Sequence, residues 1–201
     1  MSTSMMTIYL VPVGATDLSK KGELLGINNP ELNGAGKSNA DRAAGILAPI
    51  VLEAVFSGPY RRESETAELV ARTHSIPVRV EKDLKDINYG RWCGQTWQAI
   101  ETNEGDALSK LVKSPHRFRF PSGDKMKRSG KRLQSFVRQL LANYGTGNLV
   151  VIADDFVLMV IVSMMTKVEF RELDPLKPSL GKMTVVECDQ GKCSIKHLRS
   201  K

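Results

Sequence analysis

Two aspartates directly follow a fully apolar segment of the chain. Asp154 and Asp155 come immediately after Leu149–Ala153, and a second apolar run, Ala54–Ser57, precedes Arg62 by a short turn. Neighbouring carboxylates raise one another's pKa, so one can hold a proton while another accepts one. An arginine close to them binds an anion or pairs with a carboxylate. These residues therefore predict either acid–base chemistry or a buried ion pair.

The alternation of apolar and polar segments predicts the elements that position these residues. Short apolar runs predict strands, and apolar residues at helical spacing predict helices. The predicted strands are Thr7–Val11, Ala54–Ser57, Val78–Val80, Leu149–Ala153 and a closing hairpin of Met183–Cys188 and Ser194–Leu198. The predicted helices are Asn39–Val51, Arg62–His74, a segment containing Leu133–Leu141, and Phe156–Met165. Residues 83–131, rich in glycine, proline and charge, are predicted to be irregular.

Strands that alternate with helices predict an α/β fold. We expect a three-layer sandwich, in which a mainly parallel sheet carries helices on both faces. Ligands of such sheets bind beyond the carboxyl ends of the strands. This rule places Pro12–Thr16, Ser57–Arg62 and the pair Asp154–Asp155 around one crevice.

The size and composition of the chain predict one domain. Its 201 residues, 41% of them hydrophobic, can bury a single large core, so we expect one domain over residues 1–201. No run approaches ~20 apolar residues, and the first residues do not resemble a signal peptide. We therefore expect a cytoplasmic protein without a membrane partner.

The cysteines and histidines do not predict a metal centre. Cys93, Cys188 and Cys193 form no CxxC pair, and an odd number of cysteines in a cytoplasmic chain predicts reduced thiols. The three histidines are scattered along the sequence. We expect no disulfide framework, no metal site and no cofactor.

Positive charge is concentrated in residues 110–132 of a chain whose net charge is +7. This basic stripe, with Phe118 and Phe120 interleaved, has the composition of a surface for an anionic partner. A solvated insertion explains such a run more often, and no RNA-binding or helix-turn-helix signature accompanies it. The sequence therefore argues against a nucleic-acid partner.

The segment Asn33–Ser38 ends like a phosphate-binding loop of the GxxxxGKS type. Glu31 stands in place of the first glycine of that motif, and no predicted strand runs directly into the segment. We expect a turn that leads into a helix instead.

Four segments, in this order and at these spacings, carry a resemblance to a known family. They are Thr7–Asp17, Ser57–Ala67, Asp83–Gly94 and Val150–Asp155. Over nearly the whole chain they resemble the histidine phosphatase superfamily, the phosphoglycerate mutase-like proteins. The resemblance implies the three-layer α/β fold of that family, with residues 97–132 as the variable region that lids the site and sets substrate choice.

In the resembled family, a histidine after the first strand is transiently phosphorylated, and a second histidine helps to stabilise the transferring phosphoryl group. Position by position, the family arginine falls on Pro12, the nucleophilic histidine on Val13 and the second histidine on Asp154. Valine has no lone pair to offer. The resemblance therefore implies a degenerate member that cannot form phosphohistidine.

Other parts of the family's phosphate site are retained. The resemblance implies ligand-binding roles for Thr16, Ser57 and Arg62, and it places Asp86 where the family usually has the glutamate that protonates the leaving group. The carboxylates in the crevice nevertheless repel phosphate. Repulsion between a phosphate charge and one carboxylate about 4 Å away costs on the order of 4 kcal/mol at an effective dielectric of about 20.

Three hypotheses follow. In the first, the pocket is a relic: Arg62 pairs with Asp154, Asp155 caps the helix that begins at Phe156, and the protein is a module that binds a partner or a small anionic or polar ligand. In the second, Asp86, Asp154 and Asp155 act as acid and base on a non-phosphate small molecule. In the third, these carboxylates bind Mg²⁺ or Ca²⁺ and support a metal-assisted phosphomonoesterase.

The shape of the crevice separates the first two hypotheses. A closed cleft bridged by Arg62 and Asp154 favours the module, whereas an open cavity with unpaired carboxylates favours the enzyme.

Overall fold

The computed structural model describes residues 5–173 and 182–196, in which six strands form one sheet. The strands are β1 (Met5–Pro12), β2 (Ala54–Ser57), β3 (Val78–Val80), β4 (Gly147–Ala153), β5 (Thr184–Asp189) and β6 (Lys192–Lys196). The α-helices are α1 (Gly34–Leu47), α2 (Arg61–Ala71), α3 (Trp97–Lys113), α4 (Met126–Asn143) and α5 (Asp155–Thr166). The strand order is β3-β2-β4-β1-β5-β6. The first four strands in that order are mutually parallel, and β5 is antiparallel to both β1 and β6.

Helices cover both faces of the sheet. Successive side chains of a strand point to opposite faces, so each strand contributes to two hydrophobic layers. In β4, Leu149 and Val151 belong to a cluster that also contains side chains of α3, α4 and α5. The alternate residues Val150 and Ile152 belong to a cluster with side chains of α1 and α2. The predicted three-layer α/β sandwich with a mainly parallel sheet is confirmed.

The carboxyl ends of three parallel strands lie side by side. Pro12 of β1 is paired with Ala153 of β4, and Ser57 of β2 is paired with Ile152 of β4. Immediately beyond β1, the N–H of Val13 donates to the carbonyl oxygen of Ala153 at 3.2 Å. The segments that follow these strands therefore begin at one edge of the sheet, as the alternation of elements predicts.

Glycines let the first turn of α1 pack against the loop after β1. The side chain of Asn33 caps α1 by accepting the N–H of Gly36 at 2.9 Å. A Cβ on Gly36 would lie 2.1 Å from the carbonyl oxygen of Ala15, and a Cβ on Gly14 would lie 2.4 Å from that of Gly36. The prediction that Asn33–Ser38 forms a turn before a helix is correct only for Asn33, the N-cap, because α1 begins at Gly34, earlier than predicted. This packing outweighs the poor helix propensity of glycine.

The prediction that residues 83–131 are irregular is wrong for Trp97–Lys113, which form α3, and for Met126–Lys131, which form the start of α4. Helix α3 begins after Thr96, whose hydroxyl accepts the N–H of Ala99 at 3.1 Å. The helix is kinked at Glu104, where φ is −137° and ψ is 37°. Weak helix formers around that kink interrupt the apolar period in the sequence. Burial of Ile100 and Leu111 on either side of the kink holds both halves of the helix against the core.

The predicted closing hairpin is formed by β5 and β6. Gln190 and Gly191 make the turn, both with positive φ, as two-residue hairpin turns require. Cys188 and Cys193 are paired across the two strands and are joined by a disulfide, while Cys93 is free. The prediction of reduced thiols is therefore wrong for this pair. The two cysteines lie equally far from the turn, which is the sequence signal that counting cysteines overlooks.

Two further predictions concern the surroundings of the protein. No helix in the described part of the chain is long and apolar enough to cross a bilayer. The cytoplasmic location stays a prediction, since disulfides are more typical of oxidising compartments.

The last predicted strand extends to His197 and Leu198, which lie outside the described residues.

The disulfide predicts the thiol content of the protein. Protein purified without reductant and denatured in guanidinium should titrate about one thiol per chain, from Cys93, and all three cysteines after reduction. A colorimetric thiol assay measures both values. Cys93→Ser is the control, which should remove the signal from the unreduced sample. Three thiols in unreduced wild-type protein would contradict the disulfide.

Candidate functional site

The guanidinium of Arg62 lies fully buried near the carboxyl ends of β2 and β4. Its Nε donates to the Oδ1 and Oδ2 atoms of Asp154 at 3.0 and 3.2 Å, and its Nη2 donates to Oδ2 at 2.7 Å. A planar guanidinium and a carboxylate form their strongest hydrogen bonds in this two-pronged arrangement. The ion pair between Arg62 and Asp154 that the first hypothesis predicts is confirmed.

Other donors of the same guanidinium also bind protein atoms. Nη1 donates to the carbonyl oxygen of Asn28 at 2.6 Å, and Nη2 donates to that of Gly26 at 3.1 Å and to Oδ2 of Asp86 at 3.3 Å. Burial opposes the charge of Arg62, but the Asp154 carboxylate outweighs this and raises the pKa of the guanidinium above its ordinary value. Arg62 is therefore charged, and an approaching anion would have to displace Asp154 from it.

Asp86 is the second carboxylate on Arg62, and it is only 2% exposed. Its Oδ1 accepts the N–H of Ile87 at 2.7 Å and the hydroxyl of Tyr89 at 3.2 Å. Burial, reinforced by the charge of Asp154, raises the pKa of Asp86 above its ordinary value. Asp86 is thus held rigidly and binds a proton more readily than a free aspartate does.

A third buried carboxyl, that of Glu63, was missed in the sequence. Its Oε2 accepts the N–H of Tyr60 at 2.7 Å, whereas Oε1 has no hydrogen-bond donor. Burial raises the pKa of Glu63 to about 9, and the Asp154 carboxylate adds to the effect. Glu63 is therefore protonated at neutral pH and can donate a hydrogen bond to Asp154. A glutamate in the first turn of a helix is the capping-box signal that would have placed it here.

A cavity of about 420 Å³ opens in front of this cluster. Asp86, Asp154 and Asp155 all line it, so the structure brings the three predicted carboxylates together. Val13 lines the cavity beside Asp154, because the strands that precede these two residues are paired in register. The arrangement combines the features expected of the module and of the enzyme: a bridged ion pair and an open cavity.

The predicted ligand-binding residues lie behind the wall of the cavity. Thr16, Ser57 and Arg62 are fully buried, and none of them is among the residues that line the cavity in the described part of the chain. The hydroxyl of Thr16 bonds to Ser19 in a tight turn, and that of Ser57 has no hydrogen-bond partner among the described residues. Ligand-binding roles for these three residues stay predictions.

The prediction that Asp155 caps a helix beginning at Phe156 is wrong. Helix α5 begins at Asp155, and the N-cap position is occupied by Asp154. The side chain of Asp154 makes no capping hydrogen bond, because it is bound to Arg62 instead. In the first turn, Asp155 lies where a carboxylate interacts favourably with the helix dipole.

Within residues 5–173 and 182–196, no group of three or more histidine, cysteine, aspartate or glutamate side chains is arranged to hold a metal ion. The guanidinium of Arg62 already occupies the position between Asp86 and Asp154. Nothing in the described residues supports the metal-assisted hypothesis.

Comparisons with known proteins identify the family. The model of the histidine phosphatase superfamily (branch 1) matches residues 8–201. The chain belongs to this superfamily. Phosphoserine phosphatase 1 of Hydrogenobacter thermophilus is 21% identical to this superfamily member over 197 residues, which cover 98% of this chain and 89% of that protein.

Solved structures of other proteins share the fold of this superfamily member. A mycobacterial glucosyl-3-phosphoglycerate phosphatase has a TM-score of 0.83 at 18% identity, covering 98% of this chain and 100% of that one. A phosphoglycerate mutase from Bacillus anthracis has a TM-score of 0.79 at 17% identity, covering 98% and 93% of the two chains. At these identities the likeness establishes the fold.

The ion pair predicts an asymmetry between its two partners. Arg62→Ala leaves Asp86 and Asp154 buried without their cation, whereas Asp154→Ala leaves Arg62 bound to Asp86 and to two carbonyl oxygens. We expect Arg62→Ala to lower the free energy of unfolding by ~3–5 kcal/mol. Asp154→Ala should cost less, and the double mutant should cost much less than the sum. Urea denaturation of the three variants at pH 7 measures these values.

The exposed ion pair Arg72–Asp41 is the matched control, since its side chains are 67% and 54% exposed. Alanine at either of those positions should change stability by only about 0–1 kcal/mol. Additive, near-zero effects at Arg62 and Asp154 would contradict the structural role of the pair. A gain in stability from Asp154→Ala would instead favour a strained catalytic carboxylate.

The proton on Glu63 should make stability depend on pH. Its pKa is about 9 in the fold, against about 4.3 in an unfolded chain. The folded state therefore holds a proton that the unfolded chain releases between these values. The stability that Glu63 contributes is complete below about pH 4 and is lost as the pH rises through 9, by at most ~1.4 kcal/mol per pH unit.

Glu63→Gln tests this dependence, because glutamine retains a hydrogen-bond donor but does not titrate. The variant should gain stability relative to wild type between pH 6 and pH 9, as measured by urea denaturation at both values. Glu101→Gln, an exposed change on α3, is the control and should show no such gain. A difference between Glu63→Gln and wild type that is equal at both pH values would refute the raised pKa.

Proposed function

We propose that this protein is a superfamily member that does not form phosphohistidine and that binds a small ligand in the cavity beyond β1 and β4. The observation that carries the proposal is the ion pair in which the carboxylate of Asp154 binds the guanidinium of Arg62. In the resembled family this arginine neutralises phosphate oxygens. Here a carboxylate of the protein occupies the corresponding face of the guanidinium, and the two charges cancel.

The residues beside the ion pair support the same proposal. Val13 and Asp154 follow paired residues of β1 and β4, and they occupy the two positions that the family pattern assigns to histidines. A valine side chain cannot attack phosphorus. Loss of a covalent nucleophile typically lowers turnover by on the order of a millionfold. The phosphatase and mutase activities named for the related proteins therefore do not extend to this chain.

The cavity itself supports a binding role. Its volume of about 420 Å³ lies within the range of small-molecule sites. It also retains an apolar wall beside the ion pair, with Val13, Leu24 and Leu25 among the lining residues. The proposal therefore combines loss of phosphoryl transfer with retention of a ligand cavity.

Acid–base catalysis on a non-phosphate molecule is the second candidate, and Asp86 favours it. This carboxyl lines the cavity, and burial raises its pKa, which favours the protonated form that a general acid requires. In such an enzyme, Asp86→Asn would abolish turnover of the substrate while retaining its binding. In a binding module, the same variant would change affinity alone.

The proposal predicts that phosphomonoesters are not hydrolysed. Metal-free protein incubated with p-nitrophenyl phosphate or phosphoserine should release phosphate no faster than buffer. Intact-mass spectrometry under neutral quench should detect no phosphoryl adduct, because no histidine follows β1 or β4. An active histidine phosphatase assayed in parallel is the positive control.

Arg62→Lys separates genuine turnover from a contaminating phosphatase, since lysine keeps the charge but cannot bind a phosphate in two-pronged fashion. If the wild-type protein hydrolyses the substrate and Arg62→Lys abolishes that hydrolysis, the proposal is wrong. Turnover that is equal in both proteins belongs to a contaminant and leaves the prediction fulfilled.

A further inference from the structure

The cavity is lined by acidic side chains and has little positive charge to offer. Of the carboxylate and cationic side chains that line it in the described part of the chain, four are acidic, namely Glu23, Asp86, Asp154 and Asp155, and only Lys20 is basic. Lys20 is exposed, whereas Asp86 and Asp154 are buried at the inner wall. An anion inside the cavity would therefore lie against carboxylates.

The buried cluster of Arg62, Asp86 and Asp154 does not make the cavity positively charged. Arg62 lies behind Asp86 and Asp154 and is fully buried, so its charge reaches the cavity only past the two carboxylates. One guanidinium serves both of them. With Asp86 protonated, as its raised pKa favours, the charges of Arg62 and Asp154 cancel, and with Asp86 ionised the three groups together carry one net negative charge. In neither state does the cluster present a net positive charge to the cavity.

Three aromatic rings form another part of the wall. Tyr89, Trp97 and Phe156 all line the cavity. Trp97 stacks on Phe156 with 6.2 Å between ring centroids, and Tyr89 meets Trp97 and Phe156 edge to face at 6.2 and 5.9 Å. Aromatic faces attract organic cations through the ring quadrupole, and tryptophan does so most strongly.

We propose that this cavity binds a small organic cation, an alkylammonium or arylammonium compound, with its charged head among the aromatic rings and carboxylates. This inference rests on the proposed function, because a phosphoryl-transfer site would require the opposite polarity. The remaining wall, with Leu24, Leu25 and Met159, accommodates the apolar part of such a molecule. An inorganic cation fits less well, since the described residues offer no grouped set of metal ligands.

Three probes that share a benzyl group test the charge preference: benzyltrimethylammonium, benzyl alcohol and benzylphosphonate. Binding is followed by tryptophan fluorescence, to which Trp97 in the cavity and the buried Trp92 both contribute, and by chemical shifts of the cavity amides in nitrogen-edited NMR spectra. We expect benzyltrimethylammonium to bind at least about tenfold more tightly than the other two probes. Equal or tighter binding of benzylphosphonate or of benzyl alcohol would overturn the inference, and so would the absence of binding by all three probes.

Two variants locate the site. Trp97→Leu should weaken benzyltrimethylammonium binding about tenfold, measured by NMR, while Glu101→Gln on the same helix should leave it unchanged. Asp154→Asn uncovers the charge of Arg62, so it should weaken the ammonium probe and strengthen benzylphosphonate. Circular dichroism checks that each variant is folded. If Asp154→Asn does not fold, Trp97→Leu decides alone, and unchanged binding in it would overturn the site.

The inference and the proposed function fail in different ways. A preference for benzylphosphonate without phosphomonoester turnover overturns the cationic ligand and leaves the loss of phosphoryl transfer intact. Turnover that Arg62→Lys abolishes overturns the proposed function, whichever probe binds.

Discussion

The buried guanidinium of Arg62 is the constraint on which the site depends. Burying a cation costs free energy unless the cation is paired and hydrogen-bonded. Arg62 meets this requirement through partners on three other segments: the carbonyls of Gly26 and Asn28, the carboxylate of Asp86, and Asp154 at the junction of β4 and α5. One side chain thus fixes the relative positions of three chain segments around the cavity. Its partners are protein atoms, so the site is organised in the absence of any ligand.

Three buried carboxyl groups, those of Glu63, Asp86 and Asp154, surround Arg62 and determine the charge of the site. The fold around them is shared with the solved structures of a phosphatase and a phosphoglycerate mutase. In the function that we propose, a small number of side chains at the ends of β1 and β4 account for a different activity. Because function depends on such side chains and not on the architecture, shared fold and retained chemistry are separate questions in this superfamily.

The sequence predicted the features of this protein that arise from local patterns. Alternating apolar segments located the strand ends, and opposite charges after two of those ends predicted the ion pair between Arg62 and Asp154. The disulfide and the burial of Glu63 were missed, although the sequence carries a signal for each: two cysteines equally far from a hairpin turn, and a glutamate in the first turn of a helix. Helix α3 was missed because its kink breaks the apolar period at Glu104.

A similar limit applies to the cap of α5. From the sequence alone, either aspartate is a candidate for the N-cap of α5, because a carboxylate is favourable both at the N-cap and in the first turn of a helix. Competition from Arg62 decides the outcome, since it takes the side chain of Asp154 away from the helix N–H groups. A long-range ion pair has overridden a local capping preference.

The close approach of Gly14 to Gly36 fixes one part of the cavity wall. The two backbones are in contact, so the wall formed by Val13, Gly14 and Ala15 cannot shift without displacing the start of α1. Other parts of the wall are built from side chains, among them those of Trp97 in α3 and Leu24. Substitutions in these other parts can reshape the cavity while the main-chain part stays fixed. Divergence in ligand preference among close relatives of this chain should therefore be recorded in the residues around α3 and in the loop that contains Leu24.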